Sequence, residues 1–372
     1  MNTISTVRRW GSEDMNIQTK GTTVDLSLTS SYDYELPQEL IAQNPAEPRD
    51  SSRLLVVHRQ SAATEDRIFH DITEYLRPGD LLVLNDTRVL PARTFGRKIT
   101  EKGEGAHVEI FFLRPGKSPD EWTALVRPGR KLHEGTPVAL DEKTRIIVGE
   151  RLGDGLRTIK FAKDADPLAL IHKFGNVPLP PYITHSTAAP ERYQTVYAKL
   201  EKENSAAAPT AGLHFTPELL KKLEDGGVPH TFITLQVGLG TFRPVKCENI
   251  AEHVMHREIC EVPQAAADAI AETKAHGGRV VSVGTTVVRT LESFAREFGC
   301  VRPGMLDTAL FINPGYEFRV IDALITNFHL PKSTLLMLVC AFGGYELMMK
   351  TYREAVQKRY RFFSFGDAMF ID

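Results

Sequence analysis

One histidine stands among small residues in the segment AAPTAGLHFT, which covers residues 207–216. Imidazole titrates near neutral pH, so His214 is able to take up or release a proton under physiological conditions. Thr216 and Pro217 then form the pattern of a helix N-cap followed by a first-turn proline. We therefore expect a loop that faces a ligand and leads into a helix, although these features alone define only an unspecified pocket.

A second segment, VVSVGTTVVRTLES (residues 280–293), has features of an anion site. A strand ends at Gly284, and Thr285 or Thr286 is expected to cap the next helix, whose free N–H groups attract a carboxylate or phosphate. Arg289 lies about one turn further on and is able to pair with such a group. The alternative is an internal ion pair between Arg289 and Glu292 on one helix face.

Two further strand ends carry polar side chains. They are Asn85, Asp86, Thr87 and Arg88 in LLVLNDTRVLPAR (residues 81–93), and Asn327, His329 and Lys332 in TNFHLPKSTLLMLV (residues 326–339). Open α/β sheets bind ligands at the carboxyl ends of their strands, so these loops converge if the strands are parallel neighbours. Turn stabilisation by Asp86 and a capping role for His329 are the structural alternatives.

The segment VGLGTFRPV (residues 237–245) places Gly238 and Gly240 after a strand, where the backbone can bend closely around a ligand. It resembles half of a dinucleotide fingerprint. Arg243 occupies the third glycine position and no clear helix follows, so a turn that serves only the fold competes with a nucleotide loop.

Zinc-type ligands occur at Cys247, His253, His256 and Cys260. Their spacing fits no compact zinc knuckle, and no C-x-x-C pair is present among them. We expect no metal site and interpret His253 and His256 as neighbours on one helix or turn face.

Three basic clusters are candidates for RNA contact, because arginine and aromatic side chains together suit phosphate binding and base stacking. They are Arg93, Arg97 and Lys98, then Arg127, Arg130 and Lys131, and finally KRYRFF at residues 358–363. Each cluster taken alone is equally consistent with a solvated face. Lys and Arg number 45 against 47 Asp and Glu, a formal charge of -2, so any RNA contact must be local.

Strands and helices must hold these residues in place. Residues 80–162 contain short strand-like pieces separated by PG, EG, GD and DG turns, which predict a small β unit such as a barrel. Alternating helix-like and strand-like segments after residue 163 predict a largely parallel α/β sheet. We expect a discontinuous α/β sandwich domain (residues 32–79 and 163–372), an inserted β-barrel domain (residues 80–162) and a flexible tail (residues 1–31).

Composition supports a globular protein: the 372 residues are 42% hydrophobic and 25% charged, enough for about two domains. The longest apolar run, residues 335–342, is too short to cross a bilayer, and the N-terminus lacks the apolar stretch of a signal peptide. The 4 cysteines are irregularly spaced, which is typical of free thiols in a reducing compartment. We expect a cytoplasmic monomer that does not contact a membrane.

The chain closely resembles the S-adenosylmethionine:tRNA ribosyltransferase-isomerase family over residues 32–372. The similarity lies in the ordered segments AAPTAGLHFT, VGLGTFRPV, MHREI, VGTTVVRTLES, TNFHLPKSTLLMLV and RFFSFGDAM, and also in LPQELIAQNPAEPRDSSRLLV and PGDLLVLNDTRVLPAR. The resemblance implies an α/β domain with an inserted β-barrel, in agreement with the pattern of strands and helices.

The resemblance also implies a reaction of queuosine biosynthesis. The ribosyl unit of S-adenosylmethionine is moved onto 7-aminomethyl-7-deazaguanine at the wobble position of tRNA, giving epoxyqueuosine and releasing adenine and methionine. S-adenosylmethionine is then a consumed substrate, tRNA is the macromolecular partner, and no metal or redox cofactor is implied.

Within that reaction, His214 is our candidate base or proton shuttle and Asp86 is the second candidate. Thr285, Thr286 and Arg289 are expected to hold the methionine carboxylate. Asn327, His329 and Lys332 are expected to line the ribose or target-base side. Further substrate contacts are assigned to Asn85, Arg88, Thr210, Gly238, Gly240 and His256.

Gln236 and Arg257 stand where we expect His and Ser in that family, and we expect an aromatic residue near Cys260. The absence of imidazole at Gln236 argues against a universal catalytic function there. Two other classes of protein stay open: a noncatalytic RNA-binding module, and an ordinary S-adenosylmethionine methyltransferase. Against the methyltransferase, no clear G-x-G-x-G follows a first strand.

Overall fold

A computed structural model describes residues 15–19, 22–153, 155–238 and 245–372. Gly240, one of the two glycines predicted to approach a ligand, lies outside the described residues, as does the segment before residue 15. None of the helices in the described ranges combines the length and apolar character needed to cross a membrane.

The described ranges contain 20 strands and 6 α-helices. The strands are β1 (Asn16–Thr19), β2 (Thr22–Asp25), β3 (Arg53–His58), β4 (Ala63–Ile68), β5 (Leu81–Asn85), β6 (Arg88–Val89), β7 (Arg93–Thr100), β8 (Gly103–Pro115), β9 (Glu121–Arg127), β10 (Thr136–Ala139), β11 (Arg145–Gly153), β12 (Leu156–Lys160), β13 (Gly175–Asn176), β14 (Glu203–Ser205), β15 (His230–Leu235), β16 (Glu258–Val262), β17 (Val280–Val283), β18 (Gly304–Thr308), β19 (Ala323–Asn327) and β20 (Ala368–Ile371). The helices are α1 (Pro167–Phe174), α2 (Pro217–Asp225), α3 (Gln264–Ala275), α4 (Thr285–Phe298), α5 (Thr334–Gly343) and α6 (Tyr345–Gln357).

The larger sheet has nine strands in the order β18, β16, β15, β5, β17, β19, β20, β3, β4. The neighbours β15, β5, β17 and β19 are parallel to one another, whereas β20 is antiparallel to β19. Because four central strands run in one direction, their carboxyl ends meet at one edge of the sheet, which we call the carboxyl edge.

Both faces of this sheet are buried, which explains the continuous apolar runs of its central strands. Alternate residues of β5 enter opposite cores, as the pleat of a strand requires. Leu81 and Val83 pack in the cluster that includes α3, α4, α5 and α6, and Leu82 and Leu84 pack in the cluster that includes α2. Thr216 accepts a hydrogen bond from the N–H of Leu219, so the predicted start of α2 is confirmed.

The smaller sheet is a closed antiparallel barrel of six strands, β10, β11, β12, β9, β8 and β7, and a β10 to β7 pairing closes it. Phe112, Trp122 and Ile110 belong to its apolar interior. The predicted α/β sandwich with an inserted β-barrel is therefore confirmed.

Two predicted boundaries need correction. β5 was assigned to the barrel but lies at the centre of the larger sheet, and β6 pairs with β14, so the barrel strands begin at Arg93. The apolar run of β5 is that of a strand buried on both faces, which composition alone does not distinguish from a barrel strand. At the other end, β13 extends the barrel sheet beyond residue 162.

The predicted flexible tail is wrong for the described residues between 15 and 31. β1 and β2 form an antiparallel hairpin, and Ile17 and Val24, which are cross-strand partners, pack against the main core with Met15. A backbone hydrogen bond of 2.7 Å also joins the Thr29 N–H to the Glu248 carbonyl. Strands of only four residues carry too few apolar positions for their period to be visible in the sequence.

Candidate active site

Polar side chains collect at the carboxyl edge of the larger sheet. Asn85 ends β5, Asn327 ends β19, and α4 starts directly after β17. A short 3-10 helix, Thr210–His214, contacts β19 at this edge. Ala211 lies beside Gly284, because a Cβ atom built on Gly284 would be 3.5 Å from the Cβ of Ala211. The topology thus brings three of the predicted strand ends together.

His214 is buried between Ser52 and Asn327. Its Nδ1 lies 2.7 Å from Ser52 Oγ, and its Nε2 lies 3.0 Å from Asn327 Nδ2. Asn327 Oδ1 in turn accepts a hydrogen bond of 2.9 Å from Thr210 Oγ1, and the imidazole stacks on the ring of Phe69 at 4.9 Å between centroids. The structure therefore brings Thr210, His214 and Asn327 into one cluster.

The protonation of His214 follows from these partners. An amide nitrogen only donates, so Nε2 accepts from Asn327 and Nδ1 carries the proton that is shared with Ser52. Burial lowers the pKa of His214 to about 4, because the charged imidazolium is poorly solvated there. His214 is thus neutral at physiological pH, and its basic nitrogen, Nε2, faces the Asn327 amide.

Hydrogen bonds of the Asn85 side-chain amide connect the ends of neighbouring elements. Its Oδ1 accepts hydrogen bonds from the N–H groups of Leu235 and Thr87, at 3.0 Å and 3.2 Å. Its Nδ2 donates to the Leu235 carbonyl at 3.2 Å and to Thr286 Oγ1 at 3.3 Å. Asn85 therefore positions β15 and the start of α4, and its amide groups are engaged by the protein.

The carboxylate of Asp86 is buried, and each of its two oxygens has a side-chain partner. Oδ1 accepts a hydrogen bond of 2.7 Å from Thr234, and Oδ2 lies 2.9 Å from the ammonium group of Lys199. Lys199 also donates its backbone N–H to the Asp86 carbonyl.

Arg289 does not pair with Glu292. Its guanidinium forms a short ion pair with the buried carboxylate of Glu258 and donates to the Leu310 carbonyl at 3.1 Å. Glu292 instead accepts N–H groups of the loop around Val320, at 3.0 Å for Val320 itself. The helix pair considered as the alternative is therefore wrong.

One nitrogen of Arg289, Nη2, is buried without a hydrogen-bond partner in the described part of the chain. The same Glu258 carboxylate accepts the N–H of Gly238 at 2.9 Å, which joins the predicted glycine turn to α4. A buried guanidinium N–H without a partner is costly, so this nitrogen is suited to an anionic ligand.

The predicted threonine cap of α4 is wrong. Gly284 is the N-cap residue, with a φ of 92°, and no side chain caps the helix. Only glycine adopts this left-handed backbone without strain. The first turn contains no acidic residue, and Thr285 is buried there. N–H groups without a side-chain cap are the feature of a helix start that binds anions.

Four other predicted site residues have their polar groups engaged elsewhere or lie on the surface. His329 is buried with Nε2 2.9 Å from Thr326 Oγ1, and burial lowers its pKa to about 3. Lys332 pairs with Asp33 at 2.7 Å, and Arg88 pairs with Glu203 at 3.0 Å. His256 is exposed. Asn327 is thus the residue of its segment that reaches His214.

The zinc-type residues do not form a ligand set. Cys260 is buried and donates its thiol to the Leu306 carbonyl at 3.3 Å, and His253 packs against Phe311. Within the described ranges, no three His, Cys, Asp or Glu side chains are grouped as metal ligands.

Sequence reasoning missed three residues of the site: Ser52, Lys199 and Glu258. Ser52 contacts a histidine 162 positions away, and Glu258 contacts an arginine 31 positions away. Helical spacing rules reach only three or four positions, so they could not identify these partners. The MHREI segment contained Glu258, but its acidic residue was not singled out.

The fold and the site define an α/β protein with a buried polar cluster at the carboxyl ends of parallel strands, the usual place for a ligand or active site in such sheets. The profile of the family described as queuosine biosynthesis protein matches residues 29–371. The chain belongs to this family.

Individual relatives agree with this assignment. The S-adenosylmethionine:tRNA ribosyltransferase-isomerase of Thermotoga maritima is 53% identical over 342 residues, which are 92% of this chain and 99% of the relative. The protein of the same name from Symbiobacterium thermophilum is 53% identical over 345 residues, with the same coverage of 92% and 99%. The crystal structure of the S-adenosylmethionine tRNA ribosyltransferase from Thermotoga maritima covers 92% of this chain and 100% of its own, with a TM-score of 0.53 and 43% identity.

Proposed function

We propose that this chain is an S-adenosylmethionine:tRNA ribosyltransferase-isomerase. It transfers and isomerises the ribosyl moiety of S-adenosylmethionine onto 7-aminomethyl-7-deazaguanine at the wobble position of tRNA, giving epoxyqueuosine, adenine and methionine. The relatives that carry this name align with 92% of the chain and 99% of their own length. The structural observation that carries the proposal is the buried cluster of Thr210, His214, Asn327 and Ser52 at the carboxyl edge.

The reaction sets clear demands on such a site. Hydrogens on the 5′-carbon of S-adenosylmethionine are acidified by the adjacent sulfonium, so a base removes one of them. Adenine leaves from the sugar and takes up a proton, the amine of the modified base attacks and loses a proton, and methionine leaves as a neutral thioether. The site must therefore move protons, exclude water and hold two large substrates together.

The role of proton acceptor is assigned, as a hypothesis, to His214, with Ser52 as its hydrogen-bond partner. Neutral imidazole accepts a proton at its unprotonated nitrogen, which is Nε2, so the substrate must displace the Asn327 amide from Nε2, while the Nδ1–H donated to Ser52 holds the ring in place. Asp86 is the second candidate, and its Oδ2 lies 2.9 Å from the ammonium group of Lys199. Comparing His214→Ala with Asp86→Asn in single-turnover assays distinguishes them, because loss of the true base should cost about a hundredfold or more in rate.

The methionine carboxylate is assigned to the start of α4. The N–H groups after Gly284 lack a side-chain cap, and Arg289 Nη2 lacks a partner among the described residues. Both features suit a carboxylate. Thr285 and Thr286 lie in the same first turn.

We also propose that the enzyme needs no resident metal or redox cofactor, acts as a monomer and works in the cytoplasm. The sulfonium supplies the activation that a metal would otherwise supply, and the reaction has no net oxidation. Dialysis against a chelator should leave turnover unchanged, and sedimentation at working concentration should give the mass of one chain. Retention of turnover in that experiment separates this proposal from a metal-dependent mechanism.

The proposed activity is tested with two samples of S-adenosylmethionine, one labelled in the ribose and one in the methyl group, together with precursor tRNA. Ribose label in tRNA supports ribosyl transfer. Methyl label in tRNA would instead identify a methyltransferase, and tRNA binding without either label would identify a noncatalytic module.

A further inference from the structure

An exposed aromatic side chain lies on the outer face of the barrel. Phe95 of β7 is 54% exposed, and it is the only aromatic residue among the exposed large hydrophobic side chains in the described part of the chain. Its neighbours along the strand, Thr94 and Gly96, point inward and are buried, whereas Arg93 and Arg97 share its outer face. The sequence of β7 thus presents an aromatic ring between two guanidinium groups.

The adjacent strands add charge around this ring. In the register of the barrel, Phe95 lies opposite Glu109, and Glu109 lies opposite Arg127 on the next strand. Arg127 has a side chain that is 84% exposed, and Glu109 lies 3.3 Å from Arg93 and 4.0 Å from Arg127. Glu109 therefore orients two arginines beside the ring, and Arg97 lies 3.3 Å from Glu104, so the group of three arginines and two glutamates keeps a net positive charge.

This surface is not a typical protein-binding patch. Protein interfaces of stable complexes have an apolar centre depleted in charge, whereas Phe95 is one apolar side chain among Arg93, Arg97 and Arg127. Single exposed apolar residues are common on protein surfaces and need no explanation by themselves. An aromatic ring surrounded by arginines is different, because it matches the needs of a nucleotide, whose base stacks and whose phosphate pairs with guanidinium.

The strand that carries Phe95, β7, is also connected along the chain to the candidate active site. β7 follows β6, which pairs with β14, and Ser205 of β14 lies 2.6 Å from the hydroxyl of Thr87 beside Asp86. Phe95 is two residues into β7, roughly 7 Å along the strand from Arg93 at about 3.3 Å per residue. Phe95 therefore lies on the first strand of the barrel, which follows Asn85 and Asp86 in the chain.

We propose that Phe95, with Arg93, Arg97 and Arg127, forms a stacking site for an unpaired base of the RNA substrate, which we call the Phe95 platform. This inference rests on the proposed function, because it takes tRNA as the substrate. The site reads no particular base, since every base offers a face for stacking, and its arginines bind the flanking phosphates.

The test compares tRNA binding by wild type, Phe95→Ala and Phe95→Trp with a matched control, Met305→Ala. Met305 is 65% exposed on β18, at the end of the larger sheet, and belongs to no part of the site. We expect Phe95→Ala to weaken tRNA binding about tenfold and Phe95→Trp to restore it. Met305→Ala should match wild type, and S-adenosylmethionine binding should be equal in all four proteins. Arg97→Ala and Arg127→Ala should each reduce the salt dependence of tRNA binding by about one phosphate contact.

Wild-type tRNA affinity in Phe95→Ala would overturn the platform, and so would a change in self-association without a change in RNA binding. The ribose-label assay on wild type keeps this result separate from the proposed function. If wild type transfers the label and Phe95→Ala binds tRNA normally, only the platform fails. If wild type transfers no label while Phe95→Ala still weakens tRNA binding, the activity fails and the RNA site stands.

Discussion

The Nε2 atom of His214 lies 3.0 Å from the amide nitrogen of Asn327, and this contact sets the proton on the opposite nitrogen of the ring. The proton therefore faces Ser52, which directly precedes β3. A neutral histidine in this tautomer has its basic nitrogen on the Asn327 side and is oriented by the Ser52 hydroxyl.

Replacing His214 or Ser52 should lower the rate of the chemical step. We expect His214→Ala and Ser52→Ala each to lower the single-turnover rate by about a hundredfold or more, while tRNA binding is retained. Rapid-quench measurement of adenine release gives this rate. Thermal unfolding of both variants provides the control, because His214 is buried and its loss creates a cavity. An unchanged rate in His214→Ala would remove this residue from the chemistry.

Stability should fall in mild acid because two buried histidines must become charged. The pKa of His214 is about 4 and that of His329 about 3 in the folded protein, both lowered by burial, against about 6.5 in the unfolded chain. The unfolded chain binds more protons below pH 6.5, so the stabilisation present above that value is lost as pH falls toward the folded pKa values.

The measurement is urea unfolding between pH 7 and pH 4.5, as a difference between wild type and His329→Asn. Each histidine contributes at most about 1.4 kcal/mol per pH unit in this window, so the variant should show a slope that is smaller by up to that amount. Equal slopes for the two proteins would show that His329 does not titrate with a lowered pKa.

Variants of Arg289 and Glu258 should distinguish an effect on ligand binding from an effect on protein stability. Arg289→Ala removes the ion-pair partner of the buried Glu258 carboxylate and should cost about 3 to 5 kcal/mol of unfolding free energy. A double variant, Glu258→Gln with Arg289→Met, removes both charges and should recover most of that loss. If Arg289 holds the methionine carboxylate, the double variant should still bind S-adenosylmethionine at least tenfold more weakly than wild type by calorimetry. Recovery of both properties together would limit Arg289 to a structural role.

Substitution of Gly212 should destabilise the protein, because a side chain at this position would clash with one hydroxyl group. A Cβ atom at this position would lie 1.9 Å from the hydroxyl oxygen of Tyr197 and 3.0 Å from the Cγ2 of Thr195. We expect Gly212→Ala to lose about 1 to 3 kcal/mol of stability and to disturb His214, two residues later. Adding Tyr197→Phe removes the closest atom and should restore part of the melting temperature. No rescue by the second substitution would indicate that the backbone, rather than this contact, requires glycine.

The sequence was informative about the fold where its patterns were local. Apolar runs such as those of β17 and β19 predict buried parallel strands, and turn dipeptides in the middle of the chain predict the barrel. The run of β5 was placed in the wrong sheet, because burial on both faces looks the same in either environment. The short hairpin of β1 and β2 left no visible period.

The candidate site was predictable only in part for a related reason. Thr210, His214 and Asn327 were proposed from their strand ends and loops, and they do meet. Their partner Ser52 is 162 positions from His214, and no local rule relates two residues so far apart. The sequence predicts Thr285 or Thr286 as the N-cap of α4, but the N-cap residue is Gly284. The positive φ of Gly284 depends on the tertiary structure, so the sequence alone does not indicate it.

The central claim is that the ribosyl unit of S-adenosylmethionine becomes part of tRNA. The most direct measurement is the mass of the wobble nucleoside after reaction with ribose-labelled S-adenosylmethionine, with adenine and methionine quantified in the same sample. The account predicts labelled ribosyl carbons in that nucleoside, with equal amounts of adenine and methionine released. Unlabelled nucleoside, or release of S-adenosylhomocysteine with a methylated tRNA, would contradict it.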